Sequence, residues 1–244
     1  MRPRYVVLAV IALALALGCF RLSKWQVDRR AQRKARNAYI ASRLAEPPTA
    51  IESVPSDTAE GHYRRVSLLA RLDYAREFAL ALRSRDGSPG VYILTPAMLS
   101  DGRTLLVNRG WVYAPDGMSF DFERWREADT LSVEGFTDTF VEPRGNVSMA
   151  DRPQLVRRLV EDSLTQRLGG STILFPYVLV VTSPVSPMAP ARLAPPPLTE
   201  GSHFSYAIQW AAFGVIALVG MILALRRGVT ERRSADVAPS PVAG

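Results

Sequence analysis

The chain has 244 residues, 48% of them hydrophobic and 22% charged, and 30 Lys and Arg against 23 Asp and Glu give a formal charge of +7. That length suits one domain of ordinary size plus membrane segments. The single Cys19 excludes an internal disulfide, a Cys pair for copper, a Cys-based zinc site and the C-x-x-C-H of covalently attached haem. The apolar residues gather at the two ends, and basic flanks beside such ends are explained by anionic lipid rather than by nucleic acid.

Taken in order, Arg2 and Arg4 precede an apolar run over 5–20 that is short for a membrane span, and no A-x-A-like cleavage site follows it. Leu17-Gly18-Cys19 has some likeness to a lipoprotein processing site. Leu22 and Trp25, however, carry the apolar character past Arg21, so residues 1–24 are expected to form an uncleaved membrane helix with Trp25 at the interface. Residues 21–44 contain no Gly or Pro, which extends that helix as a basic stalk until Pro47, Pro48 and Pro55 end it. Stalk and linker together occupy 25–61.

The body, 62–183, reads as an α+β domain rich in antiparallel strands. Strands are expected over 63–72, 76–82, 90–98, 104–113, 131–140 and 172–182. Arg85-Asp86-Gly87-Ser88 is a turn, and the Asp-Gly of Ser100-Asp101-Gly102 joins the two best strands as a hairpin. Pro96 must then lie at an edge or a strand end. Residues 153–168 read as a helix with Pro153 in its first turn and Gly169-Gly170 beyond its end. Six prolines over 184–202 predict a stiff, extended tether. Residues 203–227 form the second membrane helix and 228–244 a disordered tail. Two spans place both termini on one side of the bilayer, but the basic residues at its two faces nearly balance and do not say which.

Chemistry-bearing residues collect where the helices meet headgroups. His203, Tyr206, Gln209 and Trp210 open the second helix, and several share one side at helical pitch. Trp25, Gln26 and Arg29 close the first on one side of their own. Should the two helices pack side by side, these groups converge. No nucleophile elbow or Gly-rich phosphate loop occurs, so nothing points to catalysis.

Four local patterns occur in a fixed order between the two apolar ends: Trp25-Gln26 with Arg29, GVYILTP over 90–96, LVNRGW over 106–111, and HFSYAIQW over 203–210. Together they resemble the Surf1 family of cytochrome c oxidase assembly factors, from about Leu17 to Arg227. The resemblance implies a non-enzymatic protein of the bacterial inner membrane with both termini cytoplasmic and the central domain periplasmic. It also implies a role in maturing haem-copper oxidase subunit I by receiving or presenting haem a, with haem a synthase as a further partner. One departure is that 151–170 holds no Trp or His, where many members have such a residue.

Each site residue has two readings. His203 is an axial ligand to haem iron, which takes neutral imidazole, or an interfacial helix cap. Tyr206, Gln209 and Trp210 line a haem face, or Gln209 bonds across to Gln26 or Ser23 and staples the spans. Arg29 holds a haem propionate or a lipid phosphate. Arg109 and Trp111 belong to a bulge with a structural ion pair, or form a contact surface for the oxidase subunit. His62 is an exposed or capping residue.

Overall fold

The computed structural model describes residues 3–141, 149 and 151–237. The chain divides into two units: one holds the first helix through Tyr39 together with the chain from Leu198 onward, and the other is Ile40–Pro197.

In the helical unit, α1 (Pro3–Ala45) is one uninterrupted helix of 43 residues, about 65 Å long at 1.5 Å per residue. The expected membrane helix and basic stalk are therefore one element, as the absence of breakers over 21–44 requires. α4 (His203–Val237) runs antiparallel to it. It continues past 227, where the tail was expected to begin, because no proline interrupts 228–237 and Thr230 Oγ1 bonds back to the carbonyl of Arg226 at 3.1 Å. Residues 238–244 of that expected tail lie outside the described residues. Both helices contain a stretch long and apolar enough to cross a membrane.

The two helices meet along seams that their sequences encode. Relative burial on α1 marks positions 5, 9, 12, 16, 19, 23, 26 and 30, and on α4 positions 203, 207, 210, 214, 217, 221, 224, 228 and 231, with 211, 218 and 225 flanking them every seventh residue. Alternating steps of four and three are the period of a left-handed helix pair. Ala9, Ala16 and Ser23 face a seam that includes Ala207, Gly214 and Gly228, small residues that let backbones approach without help from a hydrophobic driving force in lipid. Phe20 lies on Gly214 and Tyr5 on Gly228.

The second unit is a mixed seven-stranded sheet in the order β1-β5-β7-β4-β3-β2-β6. Its strands are β1 (Arg65–Arg71), β2 (Phe78–Arg85), β3 (Ser88–Met98), β4 (Thr104–Tyr113), β5 (Thr130–Thr139), β6 (Leu155–Val156) and β7 (Leu174–Ser183). Pairings are antiparallel except β4 with β7 and β2 with β6. The central strands β4 and β7 are buried on both faces, and for that reason they read as near-continuous apolar runs. On β7, Phe175, Tyr177, Leu179 and Val181 enter one core. Leu174 and Val178 enter another, together with Leu164 from α3 (Glu161–Arg167).

Local chemistry fixes the turns. Asp86 and Gly87, at φ 51° and 80°, make the two-residue hairpin between β2 and β3. Asp101 Oδ1 accepts from Arg103 N at 2.9 Å, and Gly102 takes φ 84° between β3 and β4. Pro96 lies on β3 beyond the last β2 partner, Leu94, with its carbonyl directed to Asp73 N, so its missing N–H faces no strand. His62 is the C-cap residue of the short helix α2 (Thr58–Gly61), and its Nε2 lies 3.0 Å from Asp138 Oδ1.

Two expectations change. Only the second half of 153–168 is helical, because Leu155 and Val156 pair in parallel with Ala79 and Leu80. The proline-rich tether is not free over its first part. Ala191 exchanges two 2.8 Å backbone hydrogen bonds with Trp111, and Ala189 and Arg192 are buried.

Candidate functional site

The helical unit brings together residues separated by most of the sequence. His203 Nδ1 lies 2.7 Å from Gln26 Oε1. A carbonyl oxygen only accepts, so Nδ1 is the donor of this bond, and Nε2 makes no hydrogen bond among the described residues. One turn along, Ser23 Oγ donates to Ala207 O at 2.8 Å, and Arg30 Nε pairs with Glu200 at 2.7 Å while its guanidinium covers the Phe204 ring. Ser23 and Gln26 are thus the staple, with Ala207 and His203 as partners. Gln209, expected to reach Ser23 or Gln26, is exposed instead, because it lies well round α4 from the His203 seam.

The remaining expected residues fall on a flank of this seam. At about 100° per residue, Trp25 and Arg29 lie to one side of Gln26, and Tyr206 and Gln209 to one side of His203. Since the helices are antiparallel, these are the same side of the pair. Arg29 stacks over Trp25 at 5.5 Å and bonds Gln32 at 3.1 Å; Trp25 and Tyr206 are about half exposed. Trp210 is partly buried in the seam, edge-on to Phe213. A groove of about 650 Å³ runs along α1 here, past Gly18, Leu22 and Trp25.

The domain holds a second polar cluster of a different kind. Arg109 is 0% exposed and spends its donors on Thr95 Oγ1 (2.8 Å), the carbonyl of Trp125 (2.6 Å), Glu127 (3.2 Å) and Glu77 (2.9 Å). Tyr74 stacks below its guanidinium. Arg192, from the expected tether, pairs with Glu127 and donates to the carbonyl of Arg109 at 2.6 Å. Two guanidinium groups thus meet two carboxylates, and each charge has a partner. Burial pushes the Glu77 carboxyl up from its ordinary value, and Arg109 pulls it the other way. Enclosed as it is, Arg109 has no surface to offer a partner; it serves the ion-pair network. Trp111 remains half-buried beside Arg85 and Tyr113.

Geometry explains why these patterns travel together. Gly110, at φ +134°, leaves room for Ala191, whose carbonyl oxygen would lie 2.5 Å from any Cβ there. Arg109 is the extra residue of the bulge between Asn108 and Gly110. Gly90 lies under the Trp111 indole, at 2.3 Å from where its own Cβ would be. So GVYILTP and LVNRGW meet each other across β3 and β4, while Trp25-Gln26 meets HFSYAIQW across the helices.

Comparison with known proteins agrees with this pattern. The sequence model of the SURF1 family matches residues 13–215. The chain belongs to the SURF1 family. It is 25% identical over 91% of its length to an uncharacterised SURF1-like protein of Mycobacterium bovis, covering 83% of that protein. It is 24% identical over 94% of its length to a SURF1-like protein of Monosiga brevicollis, covering 91% of that chain. Against Homo sapiens Surfeit locus protein 1 it is 29% identical over 42% of its length and 39% of the human chain. With two helices of spanning length, this SURF1-family chain is a membrane protein. Sequence reasoning missed Glu77, Glu127 and Arg192 of its buried cluster. The one available signal was an arginine within an otherwise apolar and proline-rich run.

Proposed function

We propose that the protein is a membrane assembly factor for cytochrome c oxidase that holds haem a at the ends of its paired helices and passes it towards oxidase subunit I. The observation that carries this reading is the hydrogen bond that His203 Nδ1 donates to Gln26 Oε1, which turns Nε2 to the iron as the free nitrogen of the neutral ring. Haem iron takes neutral imidazole through that atom, and the proton-fixing partner on the other nitrogen orients the ring and raises its basicity.

The surroundings fit the rest of the group. An apolar groove passes Trp25, and Phe204, Tyr206 and Ile208 expose ring and aliphatic surface on α4. Arg29, on the same side, keeps donors free for a propionate carboxylate. Gln209 and Trp210 offer a hydrogen-bonding amide and a ring edge to the periphery of the macrocycle. In this reading His203 binds iron, Gln26 positions His203, and no bond is made or broken by the protein. The domain is periplasmic, both termini are cytoplasmic, and haem a synthase supplies the cargo. Trp111 and Tyr113 supply the domain's contact with subunit I, Tyr113 being over half exposed.

The test is a spectrum. Full-length protein purified from cells that make haem a is expected to carry a Soret band that disappears in His203→Ala and weakens in Gln26→Ala. Wild-type protein that co-purifies subunit I with no Soret band would replace this reading with that of a scaffold that never touches haem.

A further inference from the structure

A cavity of about 390 Å³ lies in the sheet domain, and none of the residues invoked above for haem lines it. Its floor is apolar, formed by Leu80, Leu159, Val178 and Val180, and its polar lining is almost entirely of hydrogen-bond donors. Arg83, Arg157 and Arg158 line it, and none of the three has an ion pair among the described residues. Arg83 gives Nε to the carbonyl of Ala81 at 3.0 Å and Nη2 to that of Arg157 at 3.1 Å, so its remaining N–H groups are uncommitted among the described residues. Asn108 commits its Oδ1 to Gly110 N at 3.2 Å, while its Nδ2 and the Tyr92 hydroxyl have no partner among the described residues. The single carboxylate in the lining, Asp138, takes two contacts on its Oδ1, from His62 Nε2 at 3.0 Å and from Thr139 N at 2.9 Å.

The backbone is bent to bring Arg83 there. Leu80 pairs with Tyr92 but Arg83 pairs with Gly90, so β2 carries one extra residue at 81–82. Without that bulge the two-residue period would put Leu82 on the face of Leu80. With it, Leu82 is turned out to 51% exposure and Arg83 takes the inward place. Leu82 stands at φ +58°, a costly conformation for a branched side chain, held by a 2.9 Å bond from its N–H to the carbonyl of Gly117. The strand thus exchanges a favourable apolar contact for an arginine with no carboxylate partner among the described residues, the reverse of what packing alone selects. Burial lowers the pKa of Arg83, an unfavourable effect that a bound anion offsets.

We propose that this cavity is a binding site for a small organic oxyanion, a phosphate or carboxylate on a compact apolar body. Arg83, Arg157, Arg158 and Asn108 take the charged group, and Leu80, Val178 and Val180 receive the apolar part. Guanidinium pairs oxyanions through two parallel N–H donors, which suits either head group. The site does not depend on the haem reading.

Isothermal titration of the full-length protein in a neutral detergent, with phenyl phosphate, benzoate and inorganic phosphate as probes, tests it. Saturable one-to-one binding is expected, with phenyl phosphate tighter than inorganic phosphate because only the former covers the floor. Arg83→Gln should weaken phenyl phosphate by about tenfold or more, the usual loss of a charge-assisted hydrogen bond. The double variant R157Q/R158Q, at exposed positions that do not bear on folding, should weaken it likewise. Arg71→Gln, on the exposed face of β1, should leave it unchanged. Repeating the titration in nanodiscs with and without phosphatidylglycerol separates the sources: competition by that lipid identifies a headgroup, and its absence a soluble anion. No saturable binding, or equal weakening by Arg71→Gln and R157Q/R158Q, would overturn the proposal.

Discussion

The two units of this molecule treat polar groups in opposite ways. In the helix pair the polar contacts stand towards the ends of an apolar seam in small sets: Gln26 with His203, Ser23 with Ala207 and Arg30 with Glu200 at one end, and Glu231 with Arg4 and Tyr5 at the other. In the sheet domain they are concentrated at the centre, where Arg109 alone serves four different groups with no exposure to water. A group at the water boundary can lose its partner and be resolvated, but a buried charge cannot. Polar residues of the first kind are therefore free to be chosen for function, whereas those of the second are tied to folding.

The largest effect that would break this contrast is at Arg109. Arg109→Met leaves Glu77 and part of Glu127 uncompensated, and denaturant unfolding of the full chain should show a loss of about 3–5 kcal/mol. Arg109→Lys should rescue little of it, since a single ammonium cannot reach Thr95, Trp125 and both carboxylates at once. Retention of wild-type stability in either variant would remove the distinction between the units.

Two glycines sharpen the contrast. Gly110→Ala puts a Cβ 2.5 Å from a backbone oxygen at a φ of +134°, and about 2–3 kcal/mol should be lost in the same measurement. Gly214→Ala puts one 2.9 Å from the rim of Phe20, a ring that can turn, at an ordinary helical position. The helix propensity of alanine offsets the crowding, so the change should stay within about 1 kcal/mol.

The smallest effect lies at the surface of the domain. Asp116 accepts from Met118 N, Ser119 N and Ser119 Oγ, and these hydrogen bonds, the one from the Ser119 hydroxyl foremost, hold its carboxyl at about 2, below the ordinary 3.8. The folded value is depressed, so this stabilisation is present above about pH 4 and is lost as pH falls through about 2. Asp116→Asn should flatten that part of the pH profile of stability and leave the profile near neutrality parallel to wild type.

How far the sequence could be read follows from the range of the forces involved. α1 and α4 were legible because an apolar run without glycine or proline breakers is a local property, and the β3–β4 hairpin because Asp101-Gly102 states its own turn. The facing of Gln26 and the His203 cluster was legible since both lie where an apolar run meets polar sequence, although Gln26 is mid-way along α1. Residues 153–160 were misread because a two-residue parallel pairing with β2 leaves no periodic trace, although Gly169 and Gly170, at φ 111° and 73°, did mark the end of α3. Gln209 was read as a staple from its polarity alone, whereas rotation about the α4 axis decides which residues face the seam. The partners of Arg109 lie 32 and 18 residues away on other elements. No local pattern announces a buried charge network of that kind.

One consequence of the enclosed Arg109 concerns the cell rather than the test tube. A substitution at any member of its network acts on how much protein survives membrane quality control, and a shift of only 1–2 kcal/mol alters steady-state abundance several-fold. A null phenotype from such a variant therefore reports proteolytic turnover. Immunoblot levels have to be matched before activity defects in this region are interpreted.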